Sequence, residues 1–169
     1  MNKKREPTPL MRVVFGRNQR RTLVRAAVAG LLTYVVLRFV ILPVRLRGIS
    51  MEPTYRDGSF HLANLLSYTV RPPARGDVVV IEMTGRRALY LKRVLGLPGD
   101  RVSFSNGTCY INGAPLNEDY LEDKGQWTIP ELVVPKGEYF VAGDNRRVEW
   151  ESHTLGTVPR RKILGTILF

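Results

Sequence analysis

The pattern of hydrophobic and polar positions divides the chain into three parts. Residues 1–25 are polar and basic, residues 26–44 (AAVAGLLTYVVLRFVILPV) are almost entirely apolar, and the remainder alternates short apolar runs with turn residues. Nineteen residues come close to the roughly 20 that a helix needs to span the hydrocarbon core of a bilayer. The pattern therefore predicts a basic tail (1–25), a transmembrane anchor (26–44) and a domain over residues 45–169.

Arg38 is the one charged residue of the apolar segment. A mid-membrane arginine costs about 2.5–3.5 kcal/mol, and eleven Leu, Ile, Val and Phe residues at roughly −0.3 to −0.6 kcal/mol each offset that cost. A cleaved signal peptide is the first alternative, but the next residues, Arg45-Leu46-Arg47, give no small-x-small cleavage pattern. An amphipathic surface helix is the second, but residues 26–37 have no charged face. We therefore expect a single uncleaved anchor.

The charge distribution predicts how the chain is oriented. Of the net charge of +11, +7 falls on residues 1–25, which carry eight Lys or Arg against Glu6, so only +4 remains for residues 26–169. The positive-inside bias keeps such a tail cytoplasmic and places residues 45–169 on the extracytoplasmic side of the inner (cytoplasmic) membrane. The tail then meets anionic lipid of the bilayer, and no nucleic-acid partner is expected.

Beyond residue 44 the pattern is that of strands and turns. Asn106-Gly107 predicts a tight hairpin, and residues 97–100 (LPGD) predict a type II turn with Gly99 at positive φ. The predicted fold is mainly β: a coiled or closed antiparallel sheet, with a small irregular subdomain or flap over about residues 102–138, preceded by one N-terminal transmembrane helix. Apolar and β-branched runs predict strands over residues 77–83, 88–95, 101–105, 108–111, 138–142 and 163–169.

Ser50 and Lys92 are the candidate reactive residues. A serine becomes a good nucleophile when a neighbouring base takes its proton, and a lysine is such a base only when neutral. Lys92 has mostly apolar strand neighbours, and burial lowers a lysine pKa by up to 3–5 units from about 10.4. Strand alternation puts Lys92 and Arg93 on opposite faces, so at most one of them points inward. The alternatives are a serine that hydrogen-bonds its own turn and a solvated lysine.

A third polar segment follows the predicted strand at 138–142. It contains Gly143-Asp144-Asn145-Arg146 and then Glu151-Ser152-His153. These groups are suited to buttress a site, and a plain loop is the alternative.

Together the three segments resemble the bacterial type I signal peptidases, which are membrane-bound serine–lysine proteases. The motifs are SMEPT at 50–54, RGDV at 75–78, KRVLGLPGD at 92–100 and GDNR at 143–146, in the family's order behind an anchor. The resemblance implies that Ser50 is the nucleophile, that Lys92 is the general base within hydrogen-bond reach, and that the Ser50 N–H is one oxyanion donor. It further implies preprotein signal peptides as substrates, pockets for small side chains at positions −1 and −3, and no cofactor.

The supporting residues depart from the family pattern in part. Where the family continues with Ser-x-Asp-Ser-Arg, this chain has Glu149, then Glu151, Ser152 and His153. Glu149 thus replaces a serine that often positions the lysine, while Glu151 keeps a carboxylate. Gly48 stands where some members have a hydroxyl oxyanion donor. The candidate oxyanion and support residues are Gly48, Asp144, Asn145, Glu149, Glu151 and Ser152.

Other interpretations remain open at the level of sequence. One is a specialised maturation peptidase of the conjugation or pilin type, and another is a catalytically degenerate, membrane-anchored binding module. His61 and His153 lack a recognisable nucleophile motif with a matched aspartate, which disfavours a histidine base. Cys109 is the only cysteine, so no intrachain disulfide forms, and its setting predicts a buried strand position. No metal-ligand spacing is present, so we expect no metal.

Overall fold

The computed structural model describes residues 19–83, 89–150 and 156–168. The chain forms two compact units, Met1–Val40 and Ile41–Phe169. In the first unit, helix α1 (Gln19–Phe39) has 21 residues, none of them buried. At 1.5 Å per residue it is about 32 Å long, and it is long and apolar enough to cross a bilayer. The predicted anchor range 26–44 runs too far, because residues 41–45 pair as a strand with residues 60–64 instead of continuing the helix.

The second unit is built from antiparallel strands. In chain order these are β1 (Ile41–Arg45), β2 (Phe60–Asn64), β3 (Val78–Glu82), β4 (Leu89–Gly96), β5 (Arg101–Ser105), β6 (Thr108–Ile111), β7 (Ala114–Pro115), β8 (Ile129–Val133), β9 (Glu138–Ala142), β10 (Thr157–Pro159) and β11 (Ile163–Ile167), with a short helix α2 (Ser67–Val70) and a 3-10 turn (Arg160–Lys162). A seven-stranded sheet has the order β1-β2-β11-β3-β4-β9-β10, and a four-stranded sheet has the order β7-β6-β5-β8.

The predicted mainly β, antiparallel fold is confirmed. The predicted turns also form: Asn106 and Gly107 both have positive φ at the β5–β6 hairpin, and Gly99 has a φ of 90°. In the described part of the chain neither sheet closes on itself, so the closed alternative is wrong and both sheets keep two edges. Residues 129–133, inside the segment expected to be irregular, form a strand that pairs antiparallel with β5 with one shift of register. A subdomain over about 102–138 stays a prediction.

Apolar side chains cover both faces of the seven-stranded sheet. Val79 and Ile81 belong to one buried cluster, and Val78 and Val80, which alternate with them along β3, belong to another. A third cluster, around Phe104, fills the space against the four-stranded sheet. Cys109 lies fully buried in that third cluster, as predicted, and burial raises the pKa of its thiol to about 12. Because both faces of the large sheet are covered, polar side chains in its central strands are buried too.

Candidate active site

Ser50 lies in a turn between β1 and β2, which we call the Ser50 turn (residues 48–55). Gly48 begins it with a φ of 98°, a conformation that favours glycine, and its N–H donates to Asp57 Oδ1 at 2.7 Å. Inside the turn, the N–H of Tyr55 donates to the carbonyl of Met51 at 2.9 Å, and the Met51 side chain is buried in the core. Within the described residues the Ser50 N–H donates to no protein group. That N–H is therefore available to a ligand, whereas the Gly48 N–H holds the turn.

Lys92 lies in β4, directly opposite Val79 of β3. The residue is only 3% exposed, and in the described part of the chain it takes part in no ion pair. Burial lowers the pKa of its amine to about 8, although the nearby carboxylate of Asp144 opposes the shift. A substantial fraction of Lys92 is therefore neutral slightly above neutral pH. The enclosed lysine expected from the apolar strand neighbours is what the structure contains.

Asp144 holds the neighbouring arginine and the Ser50 turn together. It is 1% exposed and accepts hydrogen bonds from Arg93 Nε at 2.9 Å and Arg93 Nη2 at 2.6 Å. The Thr54 hydroxyl donates to the same carboxylate at 2.7 Å. Strand alternation would turn Arg93 outward, yet its side chain is only 12% exposed, because Asp144 and Tyr120 cover it. Lys92 and Arg93 are therefore both largely removed from solvent, and the expectation that at most one of them points inward stays a prediction.

Asn145 contacts the backbone on both sides of the Ser50 peptide unit. Its N–H donates to the Ser50 carbonyl at 3.1 Å, and its Nδ2 donates to the Ile49 carbonyl at 3.1 Å. With Thr54 bound to Asp144, the polar loop at 143–147 therefore holds the Ser50 turn at three points. Two of the predicted support residues, Asp144 and Asn145, therefore bond to the turn, and in the described structure neither is hydrogen-bonded to Lys92.

No hydrogen bond links Ser50 Oγ to Lys92 Nζ in the described structure, contrary to the expected direct contact. In free enzymes such bonds are often long or poorly aligned and tighten only when substrate is bound. What connects the two residues here is Asp144. Its charge acts on the pKa of Lys92, and its carboxylate holds the turn that carries Ser50.

The other predicted site residues are less central or lie elsewhere. Glu149 is exposed and forms no ion pair with Lys92. It therefore makes no contact that would replace the serine expected at this position from the resemblance. Glu151, Ser152 and His153 lie outside the described residues. His61 Nε2 lies 2.9 Å from the hydroxyl of Ser59, and its ring meets the ring of Tyr55 edge-on.

A buried ion pair beside the polar loop was not predicted from the sequence. Arg146 donates from Nη2 to Glu118 Oε1 at 2.5 Å and from Nη1 to Glu118 Oε2 at 3.3 Å. In the sequence, Arg146 is distinguished only as part of the GDNR motif, and Glu118 lies in a turn-rich segment with no periodic pattern. The single clue was an acidic residue flanked by Leu116 and Tyr120, which is too weak to assign a partner 28 positions away.

A cavity of about 260 Å³ lies beside the Ser50 turn. Glu52 and Pro53 line it from the turn, and Asp144 and Asn145 line it from the polar loop. The Ser50 turn thus borders this space, although neither Ser50 nor Lys92 lines it.

Comparison with known proteins places the whole described chain in one group. Residues 19–169 match the family model described as "Signal peptidase, peptidase S26". Signal peptidase IB of Staphylococcus aureus strain Mu50 is 33% identical over 165 residues, covering 87% of this chain and 86% of the relative. Probable signal peptidase I-1 of Synechocystis is 35% identical over 150 residues, covering 84% and 76%. A solved signal peptidase I from Enterococcus faecalis V583 has 32% identity and a TM-score of 0.46, covering 57% of this chain and 97% of that one.

Proposed function

The chain belongs to the signal peptidase family, peptidase S26, and we propose that Ser50 and Lys92 are the nucleophile and general base of this serine endopeptidase. The enzyme cleaves signal peptides from preproteins, as its family does. The observation that carries the assignment is Lys92, a buried amine that has no ion-pair partner among the described residues and whose pKa is lowered to about 8. A lysine with that pKa is able to accept a proton at working pH, whereas an exposed lysine is not.

The first half of the reaction forms an acyl-enzyme. Neutral Lys92 takes the proton of the Ser50 hydroxyl, and Oγ forms a bond to the scissile carbonyl carbon. The Ser50 N–H, which has no protein acceptor among the described residues, donates to the oxyanion of the tetrahedral intermediate. The carbon–nitrogen bond then breaks, and the Lys92 ammonium returns its proton to the leaving amine. The signal peptide is left as an ester on Ser50.

The second half releases the signal peptide. Lys92, neutral again, takes a proton from water, and the hydroxide oxygen attacks the ester carbon. The ester bond to Oγ breaks, Ser50 recovers its proton from Lys92, and a carboxylic acid leaves. Asp144 and Asn145 contribute by holding the Ser50 turn through both steps, since the turn is bonded to them at Thr54, Ser50 and Ile49.

We further propose that α1 anchors the enzyme in the inner membrane, with the basic N-terminal end of the chain cytoplasmic and the β unit extracytoplasmic. The length and apolar composition of α1 support the anchor, and the seven net positive charges before residue 26 support the orientation. Protease protection of intact spheroplasts tests it. Externally added protease degrades the β unit and spares an N-terminal epitope if the orientation is right, and it degrades the epitope and spares the β unit if the orientation is inverted.

The assay of the proposed dyad uses the full-length protein in detergent with a preprotein substrate. Ser50→Ala and Lys92→Ala abolish cleavage while the thermal unfolding midpoint shows that each variant is folded. Ser105→Ala and Lys136→Ala, which alter exposed residues of the β5–β6 hairpin and of the loop before β9, serve as matched controls with unchanged rates. Full activity of either dyad variant refutes the assignment. Turnover of several unrelated preproteins indicates a general peptidase, and turnover of one indicates a dedicated one.

A further inference from the structure

Glu118 is a buried carboxylate between β7 and β8, outside the motifs that define the site. Its side chain is 3% exposed. It accepts two hydrogen bonds from the Arg146 guanidinium and a third from the hydroxyl of Tyr120. A carboxylate removed from water requires such hydrogen-bond donors. Here both donors, Arg146 and Tyr120, are connected to the Ser50 turn, each through its own series of contacts, which we call a route.

The first route passes through Arg146. The Arg146 guanidinium also donates from Nε to the Gly143 carbonyl at 2.9 Å, and it lies 5.2 Å from the centre of the Trp127 ring. These contacts hold two residues of the polar loop, Gly143 and Arg146, in place. Between them, Asn145 bonds to the Ser50 and Ile49 carbonyls. Through Arg146, Glu118 therefore positions Asn145, which is hydrogen-bonded to the backbone on both sides of Ser50.

The second route passes through Tyr120. Burial and the Glu118 carboxylate raise the pKa of Tyr120, so its hydroxyl keeps its proton and donates to Glu118. The Arg93 guanidinium lies 3.9 Å above the centre of the Tyr120 ring, within the range of a cation–π contact. Arg93 in turn holds Asp144, which accepts the hydrogen bond of Thr54. The second route also ends on the Ser50 turn.

We propose that Glu118 is a positioning residue of the active site, which fixes the Ser50 turn through Arg146 on one route and through Tyr120, Arg93 and Asp144 on the other. The inference rests on the proposed role of Ser50. Glu118 itself touches no reacting group. Its effect on the reaction comes from geometry, because a displacement of about 1 Å in a reacting group costs about a hundredfold in rate.

Stability alone is a poor explanation for the Glu118–Arg146 pair. Two charges removed from water lose more hydration energy than a pair regains unless its geometry is very good, and apolar replacements of similar volume are often as stable. Arg146 already lies against Phe104 and Trp127, an environment that would accept an apolar side chain. A charged pair kept in such a place supplies directed hydrogen bonds, which the polar loop needs.

The test measures kcat and KM separately for four full-length variants on the same preprotein substrate, alongside thermal unfolding. The double replacement Glu118→Leu with Arg146→Met removes both buried charges, and Tyr120→Phe removes the link to Glu118 while leaving the ring beneath Arg93. Glu118→Gln removes the charge alone. The matched control is Asp123→Asn, which weakens an exposed ion pair to Arg147 from the same segment to the same loop and keeps an oxygen for the Gly125 N–H.

We expect the double replacement to fold and to lose about tenfold to a hundredfold in kcat with KM changed less than about threefold. Tyr120→Phe should lose about threefold in kcat, and Asp123→Asn should match the wild type. If Glu118→Gln does not fold, the double replacement and Tyr120→Phe still decide whether Glu118 positions the active site. Wild-type kcat in both of these overturns the positioning role, as does a rise in KM alone. Ser50→Ala is run beside them: if it is inactive, only the inference has failed, and if it is active, the proposed function has failed.

Discussion

Lys92 and Arg146 are both buried cations of the β unit, and the protein surrounds them differently. Arg146, 1% exposed, has a carboxylate partner in Glu118, a carbonyl partner in Gly143 and aromatic rings on either side. Lys92 has apolar strand neighbours and no ion pair among the described residues. The first arrangement keeps a charge inside the fold. The second makes the charge costly, so that the amine releases its proton readily.

The different surroundings of the two cations have an energetic consequence for Lys92. The pKa of Lys92 is about 8 in the folded protein, against about 10.4 for an ordinary lysine. At about 1.4 kcal/mol per pKa unit, the folded state loses about 3 kcal/mol below pH 8 by enclosing this amine. For Arg146 the hydrogen bonds to Glu118 and Gly143 offset part of the cost of burying the charge. Comparing the two residues therefore separates a buried cation proposed to take part in the chemistry from one proposed to position the groups around it.

The largest expected effect is on the rate of cleavage when the uncompensated cation is removed. Lys92→Met keeps the length and apolar character of the stem but supplies no base. General-base catalysis contributes about 10²–10⁴-fold, so kcat should fall by at least about a hundredfold on a preprotein substrate. A fall of less than about threefold would mean that another group takes the Ser50 proton.

Removing the compensated cation alone should show a different pattern, in which a large loss of stability accompanies any loss of rate. Arg146→Met leaves the Glu118 carboxylate buried without its partner, and breaking one side of a buried pair costs about 3–5 kcal/mol. Urea unfolding at pH 7 measures the loss. If the free energy of unfolding changes by less than about 1 kcal/mol, the pair is not compensating a buried charge.

Lys92→Met should stabilise the fold, in contrast to Arg146→Met. Because the folded-state pKa of Lys92 lies below the unfolded value, the folded protein is penalised at every pH below about 8. The penalty fades between pH 8 and about 10.4, as the unfolded lysine also loses its proton. The variant should therefore gain up to about 3 kcal/mol at pH 7, and the gain should shrink as the pH approaches 10. A gain that is independent of pH would contradict the account.

The smallest effect is expected where a cation is exposed. Arg147 pairs with Asp123 at 2.9 Å, but its side chain is 73% exposed, so solvent screens the pair. Arg147→Gln should change the free energy of unfolding by less than about 0.5 kcal/mol, measured by the same urea titration. A larger loss of unfolding free energy would show that the position of a cation on this loop, and not its burial, determines its contribution to stability.

The sequence anticipated local features far better than long-range pairs. All six predicted strands (β3, β4, β5, β6, β9 and β11) begin and end within two positions of the observed residues, because period-two patterning and Gly-containing turns are local signals. The end of the apolar run was misassigned, since residues 41–44 are as apolar as a membrane segment and only their pairing with β2 makes them part of a strand. The strands β1, β2, β7, β8 and β10 were not predicted, because their patterns are short or interrupted by proline.

The candidate site shows the same division. Ser50 and Lys92 were identifiable because each sits in a distinctive local motif. Their support was not, because Arg93 meets Asp144 across 51 positions and Arg146 meets Glu118 across 28, and nothing in a single sequence encodes those distances. Glu149 was singled out by its place in a motif, yet the structure leaves it exposed. Contacts of this kind are set by how the sheets and loops pack, which local patterning does not determine.

The most direct test of the account is the pH dependence of kcat/KM for the full-length enzyme between pH 6 and 10. With Lys92 as the general base, kcat/KM should rise about tenfold per pH unit at low pH and level off near pH 8, where the free enzyme's lysine loses its proton. The Arg146→Met variant, if folded, should keep the same midpoint within about one unit. A profile that is flat from pH 6 to 10 would contradict the claim that Lys92 activates Ser50.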